Sequence, residues 1–377
     1  MSKHILTRAG IKILNIIYSV FKARKNKKQI TLVSRESNKE TLDLRMLREA
    51  LQQSGQYKIV VLSKKLEKSF FGILLYSFHM TRQMWNFAVS EAVVTDTYCI
   101  ALSVLKHKNS LQKIQIWHAV SAIKKFGYQT IGKKDGSSAE IAEIMSMHKN
   151  YDYVISPAQI TDKHFSEAFA VSQNKIVRFG LPRIDYIRNT VPKKFADIYE
   201  DYPQLKNGEK KTVLYAPTMR KGRGVDLTGF LDVFDDELYN VVVKLHPLDD
   251  VTYKIEKENV IYDYKFMAYD FLSVTDIVIS DYSSFSVEAS LLDIPLYFYL
   301  YDYDEYIAKT GINIDFTVEA ISCYVSKNPE ELKRHIEAEY DFSALHDFRD
   351  KYIDKDLSMC TTALSRFIQD IAKSQNG

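Results

Sequence analysis

Residues 276–298 read DIVISDYSSFSVEASLLDIPLYF, and this stretch limits what the chain can become more than any other. Ile277, Val278 and Ile279 form a β-branched run of the kind that makes a buried parallel strand. Asp281-Tyr282-Ser283-Ser284 then interrupts it, a helix-like run follows at 285–292, and a second apolar strand occupies 295–299. Strand, serine-bearing turn, helix and strand make a βαβ unit with the turn at the carboxyl end of its first strand. Open α/β sheets bind ligands at that edge, and a helix start with free N–H groups and small hydroxyls suits phosphate. Ser283 as a plain helix cap is the competing reading. Two serines after Asp-Tyr, with strands on both sides, favour phosphate.

The same alternation extends along the chain. Strands are expected at 29–34, 58–63, 92–95, 113–117, 152–156 and 175–179, with helices such as 39–53, 65–88 and 157–169 between them. Pro192, Pro203, Asn207-Gly208 and several charges break the pattern across 189–211. A second series of strands follows at 212–216, 240–245, 260–262, 276–280 and 295–299. Its helices are expected near 267–274, 284–292, 302–309 and 329–339, and a last helix at 356–373 has the pattern to pack back across the domain junction. A chain of 377 residues has room for two such domains. The expected fold is α/β, with two doubly wound Rossmann-like domains in the glycosyltransferase-B architecture and an amphipathic N-terminal helix. The boundaries are 1–28 for that helix, 29–188 and 211–350 for the two domains, 189–210 for a linker, and 351–377 for the returning helix.

Charge is distributed unevenly. The net charge is only +3, yet residues 1–28 hold eight Lys or Arg and no Asp or Glu, so the rest of the chain is net acidic. In residues 4–22, Ile5, Leu6, Ile13, Ile16, Ile17, Val20 and Phe21 recur at helical spacing, opposite Arg8, Lys12, Asn15 and Lys22. The charges at Arg8 and Lys12 argue against a spanning segment, and no small-residue cleavage site follows. The expectation is a basic helix lying on an anionic membrane surface, with docking on the protein's own body as the alternative. The aromatic stretch 70–87 is read as core, or else as a face toward lipid or a lipid-linked substrate. Cys99, Cys323 and Cys360 are too far apart for a disulfide framework or a zinc pattern, and the histidines lack metal-ligand spacing. A cytosolic setting without a metal site is expected. Basic residues gathered in one helix, with no base-stacking aromatic module, argue against nucleic acid.

Four segments place polar residues at apolar strand ends. In 114–126, His118 follows a strand directly, and Lys124-Lys125 come after it. A histidine facing an inter-domain cleft there suits a general base toward an acceptor hydroxyl, against a structural histidine bonded to backbone. In 213–223, Arg220, Lys221 and Arg223 follow a strand, as phosphate contacts or as a solvated loop. In 241–247, Lys244 and His246 end a run of valines, where burial without a partner is costly and an anionic ligand would supply one. The fourth is the Ser283-Ser284 turn.

Taken in order, these segments resemble the CDP-glycerol glycerophosphotransferase family of teichoic-acid synthesis. The resemblance is carried by Trp117-His118 with Lys124-Lys125-Phe126-Gly127, by Gly180-Leu181-Pro182-Arg183-Ile184-Asp185, and by Leu214-Tyr215-Ala216-Pro217-Thr218 with Arg220. Lys244-Leu245-His246-Pro247, the run from Ile279 to Ser284, Leu292-Asp293-Ile294-Pro295 and the aromatic stretch from Tyr299 to Tyr306 complete it. It implies transfer of a polyol phosphate from CDP-glycerol or CDP-ribitol to a lipid-linked acceptor at the cytoplasmic face of a membrane, with release of CMP. Residues 29–188 would then be the acceptor domain and 211–350 the donor domain. By position, His118 and His246 would be catalytic. Arg220, Lys244, Asp281, Ser283 and Ser284 would bind the donor, and Lys124, Lys125 and Arg183 are acceptor-side candidates. No cofactor beyond the donor is implied. The family commonly has Gly-Thr-Pro after the histidine, whereas this chain has Ala119-Val120-Ser121. Competing readings are a nucleotide-sugar glycosyltransferase on the same fold and a non-catalytic scaffold. Against the former, Leu296 stands where those enzymes often carry a second glutamate eight residues beyond one like Glu288.

Overall fold

The computed structural model describes residues 2–67, 69–134, 136–206, 208–220, 224–245 and 255–374. The chain divides into two compact units, one of residues 1–118, 125–183 and 356–377, the other of residues 119–124 and 184–355.

In the first unit six parallel strands lie in the order β2-β1-β3-β4-β5-β6. They are β1 (Gln29–Ser34), β2 (Lys58–Ser63), β3 (Ala92–Thr95), β4 (Gln112–Gln115), β5 (Tyr153–Ser156) and β6 (Ile176–Arg178). Ile30, Leu32, Val33, Val93, Val94 and Ile114 are wholly buried, because helices cover both faces of such a sheet and leave its strands without a wet side. Helix α2 (Leu42–Gln53) buries Leu44, Leu47 and Leu51, and the C-terminal helix Cys360–Lys373 packs on it. Strand β1 is flanked by β2 and β3, so the chain order reverses there and leaves a crevice at the carboxyl ends of β1 and β3.

Helix α1 (Ser2–Lys22) packs along α3 (Phe70–Val89). Asn15 Nδ2 donates to the Val104 carbonyl at 3.1 Å, and the buried Tyr18 hydroxyl meets His107 Nδ1 at 2.9 Å. Burial pushes His107 down to about 4, which leaves it neutral. The same helix leaves Ile5, Leu6, Ile13, Ile16 and Val20 exposed. Helix α3 departs from its reading as core. Tyr76, Met84, Phe87 and Val89 are buried, but Phe70, Phe71 and Phe78 are 76%, 73% and 68% exposed. An aromatic run records the preference of its side chains, and only the neighbouring layers decide whether anything covers them. Among the described residues, no helix is long and apolar enough to cross a membrane.

The second unit holds six parallel strands in the order β12-β11-β10-β7-β8-β9. They are β7 (Lys211–Ala216), β8 (Tyr239–Val243), β9 (Val260–Tyr262), β10 (Ile277–Ser280), β11 (Leu296–Tyr299) and β12 (Val325–Ser326). Strand β12 is too short for periodicity to reveal. Here β7 is flanked by β8 and β10, so the crevice lies at the carboxyl ends of β7 and β10. The stretch 189–210 carries the helix Phe195–Asp201 and short 3-10 turns at Val191–Lys193 and Pro203–Leu205. Residues 119–124 join this unit through an antiparallel bridge between Lys124 and Ile312, and Asn313 donates from its backbone to the Ile123 carbonyl at 2.7 Å.

Candidate active site

Strand β10 delivers Asp281 to Ser284 into the second unit's crevice, opposite the end of β7. The Thr218 backbone N–H donates to both Asp281 carboxylate oxygens, at 2.8 and 3.0 Å, which ties the two strand ends together. Arg220 lies 2.9 Å from the same carboxylate. Its Nε and Nη2 donate to Asp302 at 2.8 and 3.0 Å, and its Nη1 donates to the Thr218 carbonyl at 2.6 Å. The side chains of Arg220 and Asp302 are 4% and 5% exposed, and that of Asp281 is fully buried. Burial opposes the charge on Arg220, but Asp281 and Asp302 outweigh it and raise the guanidinium above its usual range. Tyr282 and Tyr306, stacked on each other with centroids 3.8 Å apart, lie beside the guanidinium. Arg220 and Asp281 therefore form the internal frame of the serine turn.

The serines themselves are half-buried. Ser283 Oγ accepts from the Phe285 N–H at 3.3 Å, just before the helix Phe285–Ala289, whose N-cap is Ser284. Ser284 Oγ accepts from the Ser121 N–H at 3.0 Å. Beside it the buried Glu288 uses both carboxylate oxygens, one for the Val120 N–H at 3.1 Å and one for the Tyr269 hydroxyl at 2.6 Å. Val120 and Ser121, two of the three residues at which this chain departs from Gly-Thr-Pro, thus lie against the serine turn and its helix. A proline at position 121 could not make the bond to Ser284, since it has no N–H.

Lys244, at the end of β8, finds its partners within the chain. Its Nζ donates to the carbonyls of Asp263 and Phe266 at 2.8 Å each, and lies 3.3 Å from the Asp263 carboxylate. Burial lowers its pKa, and Asp263 opposes that shift. His246, Lys221 and Arg223 lie outside the described residues. Next to Asp302 a cavity of about 900 Å³ is lined by residues including Val225, Tyr301, Tyr303 and Lys327.

In the first unit His118 follows β4, and its Nδ1 lies 3.1 Å from the Asp96 main-chain carbonyl. Trp117 before it has φ +57°, a left-handed conformation that a bulky side chain adopts only under constraint. The Trp117 N–H donates to Gln115 Oε1 at 2.8 Å, and its ring stacks on Phe126 at 4.6 Å. Gln115 is fixed in turn by bonds to Tyr151 and to the Thr97 carbonyl. Buried His148 lies against Trp117 and is pushed down to about 3 by burial and by the proximity of His118. The His118 ring thus lies between the Asp96 carbonyl and the Trp117 ring, whose centroid is 4.0 Å away.

Of the acceptor-side candidates, Arg183 donates from its backbone and its Nε to the buried Asp43, each at 2.8 Å, and its Nη2 binds the same carboxylate. Lys124 lies in the bridge to Ile312, and Lys125 is half-buried in the first unit. No cluster of His, Cys, Asp or Glu suited to a metal occurs among the described residues. The structure also brings forward Asp96 and Arg35, which follow β3 and β1. Polar residues breaking off an apolar strand, as in Val93-Val94-Thr95-Asp96-Thr97, are the signal that marked the other segments.

Residues 16–360 match the family described as CDP-Glycerol:Poly(glycerophosphate) glycerophosphotransferase. The chain belongs to this family. It is 29% identical to the teichoic acid ribitol-phosphate primase of Bacillus spizizenii, over 92% of each chain. It is 26% identical to the teichoic acid glycerol-phosphate primase of Bacillus subtilis, over 90% of this chain and 91% of that one. A structure of the wall teichoic acid polymerase TagF superposes with a TM-score of 0.74 at 17% identity, over 99% of this chain and 98% of that chain, a likeness of fold. In this member of the glycerophosphotransferase family, the motifs of His118, Thr218, Lys244 and Ser283 follow the carboxyl ends of β4, β7, β8 and β10 in turn.

Proposed function

We propose that this chain transfers glycerol phosphate, or a related polyol phosphate such as ribitol phosphate, from a CDP-activated donor to a hydroxyl of a lipid-linked acceptor in teichoic-acid synthesis. The observation that carries this reading is the family match over residues 16–360. A histidine and a double-serine turn at strand ends supply the chemistry. The acceptor hydroxyl attacks the phosphorus distal to cytidine, the bond from that phosphorus to the CMP oxygen breaks, and CMP leaves. His118 would take the hydroxyl proton at Nε2, the nitrogen not turned toward Asp96. Ser283, Ser284 and the backbone N–H groups behind them would hold the donor pyrophosphate, and His246, by its motif, would stand beside it. Arg220, Asp281 and Lys244 would serve through position, by keeping the turn and the end of β8 in place. Such transfer needs alignment and charge stabilisation more than covalent chemistry.

The two units would be used in the glycosyltransferase-B manner, with the first unit binding acceptor and the second donor. Lys125 and Lys124 remain acceptor-side candidates, and Arg183 would act through its grip on Asp43. The exposed apolar residues of α1 and α3, beside the basic residues 22–28, would seat the protein peripherally on the anionic cytoplasmic face of a membrane.

Donor turnover tests the reading. CMP release from CDP-glycerol or CDP-ribitol, dependent on a lipid-linked acceptor, is expected. Activity confined to UDP- or GDP-sugars would overturn it. A scaffold role predicts instead that polymer synthesis in cells survives His118→Ala.

A further inference from the structure

We propose that the crevice at the carboxyl ends of β1 and β3 is an oxyanion site, in which Arg35 binds a phosphate group of the acceptor. The proposal rests on the polyol-phosphate transfer reading.

Arg35 follows β1 directly at the point where the first sheet reverses its strand order, the position at which open α/β sheets bind ligands. It is pinned across the crevice to the turn after β3. Its backbone N–H donates to Thr97 Oγ1 at 3.0 Å, and its Nη1 donates to the Tyr98 carbonyl at 2.8 Å. The rings of Tyr98 and Tyr76 stand 5.5 and 5.8 Å from its guanidinium carbon. Its Nε–H is buried without an acceptor among the described residues, and the residue as a whole is only half-buried. Arg183, in the helix Pro182–Asn189, and Arg220, after β7, are each closed off by carboxylates. Among the described residues, no carboxylate lies within ion-pair distance of Arg35. A planar cation held in one orientation, half-open to solvent and facing no carboxylate among the described residues, is suited to a phosphate oxygen.

The neighbours agree with this use. Asp96 is 1% exposed; its Oδ2 accepts from the Thr41 hydroxyl at 2.8 Å, while its Oδ1 has no partner among the described residues. Burial raises that carboxyl to about 7, so near neutral pH much of it is protonated and does not repel an anion. The carbonyl of the same residue orients His118, so one turn lies beside the bound anion and holds the general base. Tyr76 belongs to α3, whose exposed phenylalanines offer an apolar surface for the acceptor's lipid. The oxyanion could be a terminal polyol phosphate or the phosphate at the lipid linkage, and both present the same chemistry.

The test uses the full chain and the variants Arg35→Ala and Arg35→Lys. Kinetics are measured with a CDP-polyol and three lipid-linked saccharides: one ending in glycerol phosphate, one lacking it, and one free of phosphate altogether. Arg35→Ala should raise the acceptor KM about tenfold or more, leave the donor KM unchanged, and be partly rescued by lysine. A rise confined to the first acceptor assigns the site to the terminal phosphate, and a rise with the first two assigns it to the lipid linkage. An unchanged acceptor KM, an equal rise with the phosphate-free acceptor, or a rise in donor KM overturns the proposal. Inorganic pyrophosphate binding, measured calorimetrically with CMP saturating the donor site, should be lost in Arg35→Ala and weakened in Arg35→Lys. Retained binding counts against the site even where the alanine variant is inactive. Arg35-dependent binding in a chain that turns over no CDP-polyol would sink the functional reading and spare the site. Turnover with an unaltered acceptor KM would do the reverse.

Discussion

His118 Nδ1 faces the main-chain carbonyl oxygen of Asp96 at 3.1 Å. A carbonyl can only accept, so the ring proton belongs on Nδ1 and the lone pair on Nε2. The backbone of the β3 turn thus favours the tautomer protonated at Nδ1.

Replacement of His118 by alanine should therefore lower kcat by roughly 100- to 10,000-fold, with the donor KM little changed. Acceptor-dependent CMP release under saturating donor measures this. A variant that keeps wild-type kcat would deny His118 the role of base.

Arg220 makes a prediction of a different kind. Its removal strands Asp281 and Asp302 in a buried site, and breaking such a pair costs about 3–5 kcal/mol. Arg220→Ala should lose stability of that order in denaturant unfolding. An arginine that served only a ligand would leave the unfolding midpoint of the free protein in place.

Asp96 should give the protein a recognisable pH dependence. Its folded pKa of about 7 lies above the unfolded carboxyl value, so the folded state binds the proton more tightly. The penalty for burying its charge is absent below the unfolded pKa, about 4, and grows as pH rises to the folded value. Relative to wild type, Asp96→Asn should gain stability from pH 4 to 8, by on the order of 2–4 kcal/mol. Equal slopes for the two proteins would show that Asp96 does not titrate in this window.

The exposed face of α3 can be separated from the fold. Phe71→Ser and Phe78→Ser together should weaken sedimentation with anionic vesicles by about tenfold or more. Unfolding should hardly change, because both rings are already in water. Undiminished vesicle binding would mean that α3 does not touch the membrane.

How much of this was readable in advance follows from range. Gln29–Ser34, Lys58–Ser63, Ala92–Thr95 and Val260–Tyr262 form strands at the positions their apolar runs predict, because an apolar, β-branched run carries its signal in consecutive residues. The double-serine turn was visible for the same reason. The partners of the candidate cations were not. Lys244 meets Asp263, Arg183 meets Asp43, and Arg220 meets Asp281 and Asp302, pairings across 19 to 140 positions. No local pattern encodes such a meeting.

The sequence by itself determined the alternation of strands and helices, the family and the strand ends at which chemistry is possible, since each rests on residue type and spacing along one segment. Tertiary structure alone decided which cations are closed by carboxylates and which, like Arg35, have none in reach among the described residues. It alone left half of an aromatic helix uncovered and set residues 119–124 against Ser284 and Glu288. Those outcomes depend on burial and on charge pairing between distant segments, and both exist only after the layers have packed.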